Sequence, residues 1–268
     1  MIQNVDMQLI SDPHGICPDS PIGVFDSGVG GVSVLRDMVR MLPKEKFIYY
    51  GDNKNAPYGT RSEEEIRALA MNVTGKLLES GIKALVVACN TATSAAIIQL
   101  REKLSIPVVG MEPALKPASK LWHGGRVLVL ATPATLRQNK FQHLYELYGQ
   151  NAVIQPCAGL MEFAERGEME GEGIDAYLAE CLEAYRGTQI DSAVLGCTHY
   201  VFLKKAIAKA LPGVPLVDGN DGTARRLEFL LNERGLLRQT GEGSVTFLTS
   251  GEESVYLPRM KMLFNTPI

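Results

Sequence analysis

A two-lobed α/β protein, with similar lobes and mainly parallel sheets facing across a central cleft, is the fold that three features of this 268-residue chain predict. The first is the run Ala84-Leu-Val-Val-Ala-Cys-Asn-Thr-Ala-Thr93, where apolar, partly β-branched residues give way to small polar ones. A strand buried on both faces and feeding a helix reads this way. The second is its near-repetition at Ser192-Ala-Val-Leu-Gly-Cys-Thr-His-Tyr200. The third is spacing: 106 residues separate Asp26 from Thr132, each just past a short apolar run, and 108 separate Cys89 from Cys197. Two landmarks displaced by nearly the same amount imply a doubled unit.

In chain order, residues 1–20 lack periodicity and mix Pro, Gly and Asp, so a flexible extension is expected, with Cys17 incidental to it. Ile22-Gly-Val-Phe25 reads as a strand, and Asp26-Ser-Gly-Val-Gly-Gly31 as a turn whose glycines permit close approach, before an amphipathic helix to about Leu42. That glycine run matches neither GxGxxG nor a P-loop. Asp26 suits a helix N-cap, and equally a site residue at a strand end like that of Cys89. Phe47–Tyr50 is the next strand, Asn55–Arg61 an exposed loop, and Ser62 the cap of a helix with Glu63, Glu64 and Glu65 in its first turn. The Cys89 strand, a helix and a short strand over Ile106–Gly110 follow, and Pro113 and Pro117 mark a crossover.

The pattern then restarts with a strand over Arg126–Leu130, a helix after Thr135 and a strand near Val153-Ile154. Five glutamates, Glu162, Glu165, Glu168, Glu170 and Glu172, make an acidic stretch of the kind that is mostly solvated. After the Cys197 strand come a last short strand at Pro215–Asp218, a helix over Gly222–Arg234, an edge strand over Ser244–Leu248 and a C-terminal helix. The expected division is 21–114 plus 219–268 for the first lobe and 115–218 for the second.

A formal net charge of −3 argues against a nucleic-acid or other polyanion binder. No apolar run is long enough to span a bilayer and residues 1–20 lack a signal-peptide pattern, so the expectation is a cytoplasmic protein without a membrane partner. Five cysteines without CxxC or paired-His spacing offer no metal site and no disulfide framework.

A lone cysteine is most often a small buried hydrophobe. Here each is followed by polar neighbours, Asn90 and Thr91 after Cys89, Thr198 and His199 after Cys197, and each sits where open α/β sheets bind ligands. Acyl transfer needs only one thiol. Two thiols on opposite walls of a cleft can remove a proton from a carbon on one face and return one on the other, inverting a stereocentre. An ordinary thiol pKa of about 8.5 suits either protonation state. Asp26 is the candidate to orient or deprotonate Cys89, and His199 to assist Cys197.

Four ordered motifs, Val24-Phe-Asp-Ser-Gly-Val-Gly-Gly31, Pro57-Tyr-Gly59, Val86-Val-Ala-Cys-Asn-Thr-Ala-Thr93 and Val194-Leu-Gly-Cys-Thr-His199, resemble those of the cofactor-independent glutamate racemases of the Asp/Glu racemase family. The resemblance runs from about residue 22 to the C-terminus. It implies interconversion of L- and D-glutamate without a cofactor or metal, supplying the D-isomer for peptidoglycan, by a homodimer. Cys89 and Cys197 carry over as the acid/base pair, Asp26, His199 and Glu165 as their assistants. Asp26, Ser27, Tyr58, Gly59, Asn90, Thr91, Thr198 and His199 carry over as the substrate-contacting set. Activation by a cell-wall precursor, a property of some members with N-terminal extensions, is compatible with residues 1–20. The sequence departs from many relatives after Asp218, where it reads Gly-Asn-Asp-Gly-Thr. A racemase acting on aspartate or a hydantoin, a one-cysteine amidase and a two-lobed amino-acid-binding protein are the competing readings.

Overall fold

Strands alternate with helices along most of the chain in the computed structural model, which describes residues 15–137 and 139–267. The first run is β1 (Ile22–Asp26), α1 (Val32–Met41), β2 (Lys46–Gly51), α2 (Glu63–Glu79), β3 (Ala84–Val87), α3 (Asn90–Lys103) and β4 (Val108–Gly110), with 3-10 turns at Asn53–Asn55 and Tyr58–Thr60. Next come α4 (Leu115–Ser119), β5 (Arg126–Ala131), α5 (Pro133–Arg137), α6 (Asn139–Tyr148), β6 (Ala152–Pro156), α7 (Leu160–Arg166) and α8 (Glu172–Cys181). The strand β7 (Ile190–Leu195), a 3-10 segment at Thr198–Leu203, α9 (Lys204–Ala210) and β8 (Leu216–Val217) complete that unit. The chain ends with α10 (Asn220–Glu233), β9 (Ser244–Thr249) and α11 (Glu253–Asn265).

Two parallel sheets result, ordered β4-β3-β1-β2-β9 and β6-β5-β7-β8. Read from its other edge, the second is β8-β7-β5-β6, the order of the first four strands of the first sheet. The doubled unit expected from the spacing is therefore a doubled topology. β9 has no counterpart; it returns to the first sheet and pairs with β2 along its whole length.

All residues of β1 and β3 are buried, because helices cover both faces of the sheet. Val32 and Leu35 of α1, Leu227 and Leu231 of α10 and Leu263 of α11 pack on one side, and Ile66 and Leu77 of α2 with Ile97 and Leu100 of α3 on the other. Each such side chain contributes about 1.5–3 kcal/mol on burial. Ser62 caps α2 in a complete capping box with Glu65, as the sequence predicts. β4 is shorter than expected: Pro107, just before it, has no N–H to donate to the ladder. α10 begins two residues earlier than expected and the helix expected after Thr135 opens at Pro133.

Residues 1–14 of the expected flexible extension lie outside the described residues. Of the rest, Pro18 carbonyl oxygen accepts from Lys83 Nζ at 2.6 Å and Asp19 Oδ1 from Arg238 Nε at 2.8 Å. Lys83, fully buried, is neutralised by Glu45.

Candidate active site

Cys89 and Cys197 each lie two residues past the end of a strand, β3 and β7, that occupies the same place in its sheet. Both line one cavity of about 370 Å³, which also receives Asp26, Ser27, Tyr58, Gly59, Asn90, Thr91, Thr198 and His199. Ten sequence-predicted residues from both lobes thus converge. Glu165, the eleventh, stands behind His199, with 2.7 Å between Oε1 and His199 Nε2.

Cys89 is the N-cap of α3, its sulfur accepting from Ala92 N–H at 3.4 Å. The thiol donates to Ser27 Oγ at 3.6 Å, and Ser27 in turn donates to Asp26 Oδ1 at 3.2 Å. Asp26 therefore reaches Cys89 through Ser27. Its other oxygen accepts from Gly31 N–H and, across the cleft, from Thr198 Oγ1 at 3.3 Å. The N-cap role considered for Asp26 falls to Gly31. Burial, then the Asp26 carboxylate, pushes the Cys89 thiol well up, against the pull of Ala92 N–H and Ser27. The resting group is a thiol, and the field of Asp26 favours it over the thiolate.

Cys197 has a different partner. Its sulfur lies 3.6 Å from His199 Nδ1, and His199 is held on its far side by Glu165, whose second oxygen is 3.7 Å from Arg259 Nη1. Burial opposes a charge on His199, but the Cys197 sulfur and the Glu165 carboxylate overcome it and raise the imidazole well above its ordinary range. Glu165 is itself kept low, its burial outweighed by His199 and Arg259. The acidic stretch is thus not uniformly solvated: Glu165 is three-quarters covered.

The glycine turn that fits no nucleotide motif lets the lobes meet. A Cβ on Gly30 would run into His199 Nδ1 and Thr198 Oγ1, and one on Gly28 would stand 3.0 Å from Glu165 Oε1. Ser33 Oγ donates to Thr198 carbonyl oxygen at 3.1 Å and Asn90 Nδ2 to Gly196 carbonyl oxygen at 3.2 Å, stitching the walls together. That second bond leaves Asn90 Oδ1 as a buried acceptor without a partner among the described residues. A buried orphan acceptor of this kind costs about 1–3 kcal/mol. Tyr58 is almost wholly buried, its hydroxyl donating to Asp52 Oδ2 at 2.7 Å. Burial and that carboxylate push its phenol far up, so it is a neutral donor and wall.

Sequence reasoning passed over Thr135, Arg137, Met161 and Glu162, which also line the cavity. Thr132, noted only as a spacing landmark, lines it too and caps α5 through Thr135 N–H at 3.2 Å. Its 106-residue offset from Asp26 was the available signal; Met161 and Glu162, on α7, carry none. Among the described residues, no group of three or more His, Cys, Asp or Glu side chains is placed to hold a metal ion, and no helix is long and apolar enough to cross a membrane.

A family model described as Asp/Glu/hydantoin racemase matches residues 22–227. The chain is 47% identical over 251 residues to the glutamate racemase of Clostridium botulinum (strain Okra / Type B1), covering 92% of this chain and 98% of that one. It resembles the crystal structure of Thermus thermophilus glutamate racemase in complex with β-chloro-D-alanine, at 38% identity and a TM-score of 0.79 over 92% of this chain and 94% of that one. It also resembles Escherichia coli glutamate racemase in complex with L-glutamate and the activator UDP-MurNAc-ala, at 30% identity and a TM-score of 0.80 over 91% and 95%.

Proposed function

The chain belongs to the Asp/Glu/hydantoin racemase family, and from that membership we propose that it is a glutamate racemase, interconverting L- and D-glutamate by a two-base proton transfer between Cys89 and Cys197 without a cofactor. The observation that carries this reading is the pair of thiols at corresponding strand ends, lining one cavity from different lobes.

The α-proton of an amino acid is a weak acid, so its removal needs a base held in contact and a donor ready on the opposite face. Cys89, kept protonated by burial and by Asp26, is the donor in the resting enzyme. Cys197, beside an imidazole that can take and return a proton, is the base. For the other enantiomer the roles exchange, and Cys89 must then release its proton. The substrate supplies the means: its ammonium, brought near the Asp26 carboxylate in the cavity wall, offsets the negative field that holds that proton in place. The N-terminus of α3, beginning at Asn90 and Thr91, offers backbone N–H groups and a positive dipole end to a carboxylate. Ser27, Tyr58, Gly59, Thr198 and His199 complete the contacting set.

In this reading the D-isomer feeds peptidoglycan synthesis, the enzyme works in the cytoplasm as a homodimer, and residues 21–114 plus 219–268 form one lobe and 115–218 the other. The activator seen with the Escherichia coli neighbour gives the regulatory arm its probe: UDP-MurNAc-ala titrated into the racemisation assay.

The reading is tested by incubation with each enantiomer of glutamate, and separately of aspartate, in deuterated water. Deuterium at the α-carbon together with formation of the opposite glutamate enantiomer is the expected result. Binding of glutamate with no α-exchange would make the protein a carrier, and turnover of aspartate alone would move it within the family. Inversion that survives Cys197→Ala would remove the two-base mechanism.

A further inference from the structure

Cys157 and Cys181 take no part in the cavity chemistry, yet their sulfurs lie 3.3 Å apart. Cys157 follows β6 at the corner leading into α7, and Cys181 is the last residue of α8. Their exposures differ: Cys157 is fully buried, whereas Cys181 is half-buried and reaches the surface. Gln155 Nε2 donates to Cys181 Sγ at 3.3 Å. The bond from Cys157, then those from Gln155 and Tyr177, lowers the Cys181 thiol below its ordinary range against the effect of burial, while the same bond and burial hold Cys157 protonated. An accessible, more acidic thiol in contact with a buried resolving thiol is the arrangement that redox-sensitive pairs use.

We propose that Cys157 and Cys181 are a reversible redox modification site, closed by hydrogen peroxide into a disulfide that fastens α8 to the corner between β6 and α7. The Cys181 thiolate attacks a peroxide oxygen, the O–O bond breaks, hydroxide leaves, and Cys181 becomes a sulfenic acid. Cys157 sulfur, giving up its proton, attacks the Cys181 sulfur and water departs. In sum, two thiols lose two protons and two electrons, and one peroxide becomes two waters. A disulfide needs a sulfur separation of about 2.05 Å, so the pair must close by about 1.2 Å. The corner that moves is tied to the cavity wall. Cys157 N–H donates to Ala131 carbonyl oxygen at 3.0 Å, its own carbonyl oxygen accepts from Tyr200 Oη at 2.7 Å, and Ala158 lines the cavity. In the first turn of α7, which begins at Leu160, Met161 and Glu162 line the cavity, and Glu165 follows.

The experiment needs neither glutamate nor turnover, so it is decided separately from the proposed racemisation. The full chain is treated with hydrogen peroxide, alkylated, digested without reductant and mapped by mass spectrometry, with its melting temperature measured before and after. Expected is a linked pair of peptides containing Cys157 and Cys181, lighter than the reduced pair by two hydrogens, opened by dithiothreitol and accompanied by a higher melting temperature. Cys181→Ser and Cys181→Ala, at a half-exposed position, show neither the link nor the rise. Cys181 recovered as sulfinic or sulfonic acid beside an alkylated Cys157 would overturn the site, and a link that leaves the melting temperature unmoved would overturn the fastening.

Discussion

On the first lobe, the route from sulfur to carboxylate passes through a hydroxyl, from Cys89 to Ser27 at 3.6 Å and from Ser27 to Asp26 at 3.2 Å. On the second it passes through an imidazole, from Cys197 to His199 at 3.6 Å and from His199 to Glu165 at 2.7 Å. Topology made the two positions equivalent; the intermediate group makes them differ. A serine hydroxyl transmits a hydrogen bond but cannot store a proton near neutral pH, whereas an imidazole can. The first route therefore leaves its proton on sulfur, and the second has a second site for it. In the proposed mechanism, the duplicated fold supplies the paired positions and the chemistry depends on breaking their symmetry.

The largest effect expected is from replacing either sulfur. Cys89→Ser and Cys197→Ser should each lower racemisation by about 10²–10⁴-fold or more, the range for loss of a positioned acid or base, followed by circular dichroism of glutamate. Because the enantiomers have equal free energies, kcat/KM falls equally in both directions whichever cysteine is changed. The comparison is read instead from residual α-deuteration: each variant should exchange one enantiomer faster, and the favoured enantiomer should be opposite in the two. The same preference in both would break the picture of two facing walls.

Glu165→Gln sharpens the comparison by altering only the second route. Loss of a charge-assisted hydrogen bond should lower kcat by roughly 10- to 100-fold, with the kcat for L- and D-glutamate falling unequally. The same variant has a signature in stability against pH. His199 is raised from its ordinary 6.5, so its contribution is complete below 6.5 and is lost as pH climbs through the raised value. Glu165 is lowered from 4.5, so its contribution is complete above 4.5 and is lost as pH falls through the lowered value. Urea unfolding from pH 6 upward should therefore show a steeper loss in the wild type than in Glu165→Gln, where His199 is less raised.

Gly30→Ala presses a methyl group against His199 and Thr198 and should cost about 1–3 kcal/mol through overpacking, read as a lower melting temperature together with reduced kcat. Gly75→Ala in α2, where a Cβ meets nothing within 4 Å, is the control and should stabilise by about 0.5–1 kcal/mol. A smaller loss than that of Gly30→Ala belongs to Tyr58→Phe. Asp52 keeps Asn55 Nδ2 at 3.0 Å after that change, so a loss of about 0.5–1.5 kcal/mol is expected, with the Glu165-dependent part of the pH profile unaltered.

Several elements were legible because their causes are local. The β1 and β3 runs carry no charged or polar side chain except Asp26 at the end of β1 and fold as strands covered on both sides; Ser62 and Glu65 sit at capping-box spacing and form one. Cys89 and Cys197 could be matched because a repeated strand-end motif survives in the sequence. Gly30 could be read as a tight-turn residue but not as the point where the second lobe's His199 approaches, since that neighbour lies in another part of the chain. By composition and spacing Glu165 is one of five glutamates in a polar stretch, and only the family resemblance singled it out. What sets it apart is the face of α7 it occupies, with Arg259 of α11 against it. Met161 and Glu162 enter the cavity wall for the same reason and left no mark in composition or spacing.

The sequence alone determined the mainly parallel sheets, the doubled unit and the strand ends that carry sulfur, because burial pattern, capping and repeat spacing are written in neighbouring residues; the strand order within each sheet came from the structure. Tertiary structure alone decided what each sulfur faces. Ser27 is 62 residues from Cys89, Glu165 is 34 from His199, and Thr198 is 172 from Asp26. Hydrogen bonds act over about 3 Å, so separations of that length in the chain become partnerships only when folding brings distant strand ends and helices side by side, within one lobe for Ser27 with Cys89 and for Glu165 with His199, and between the lobes for Thr198 with Asp26.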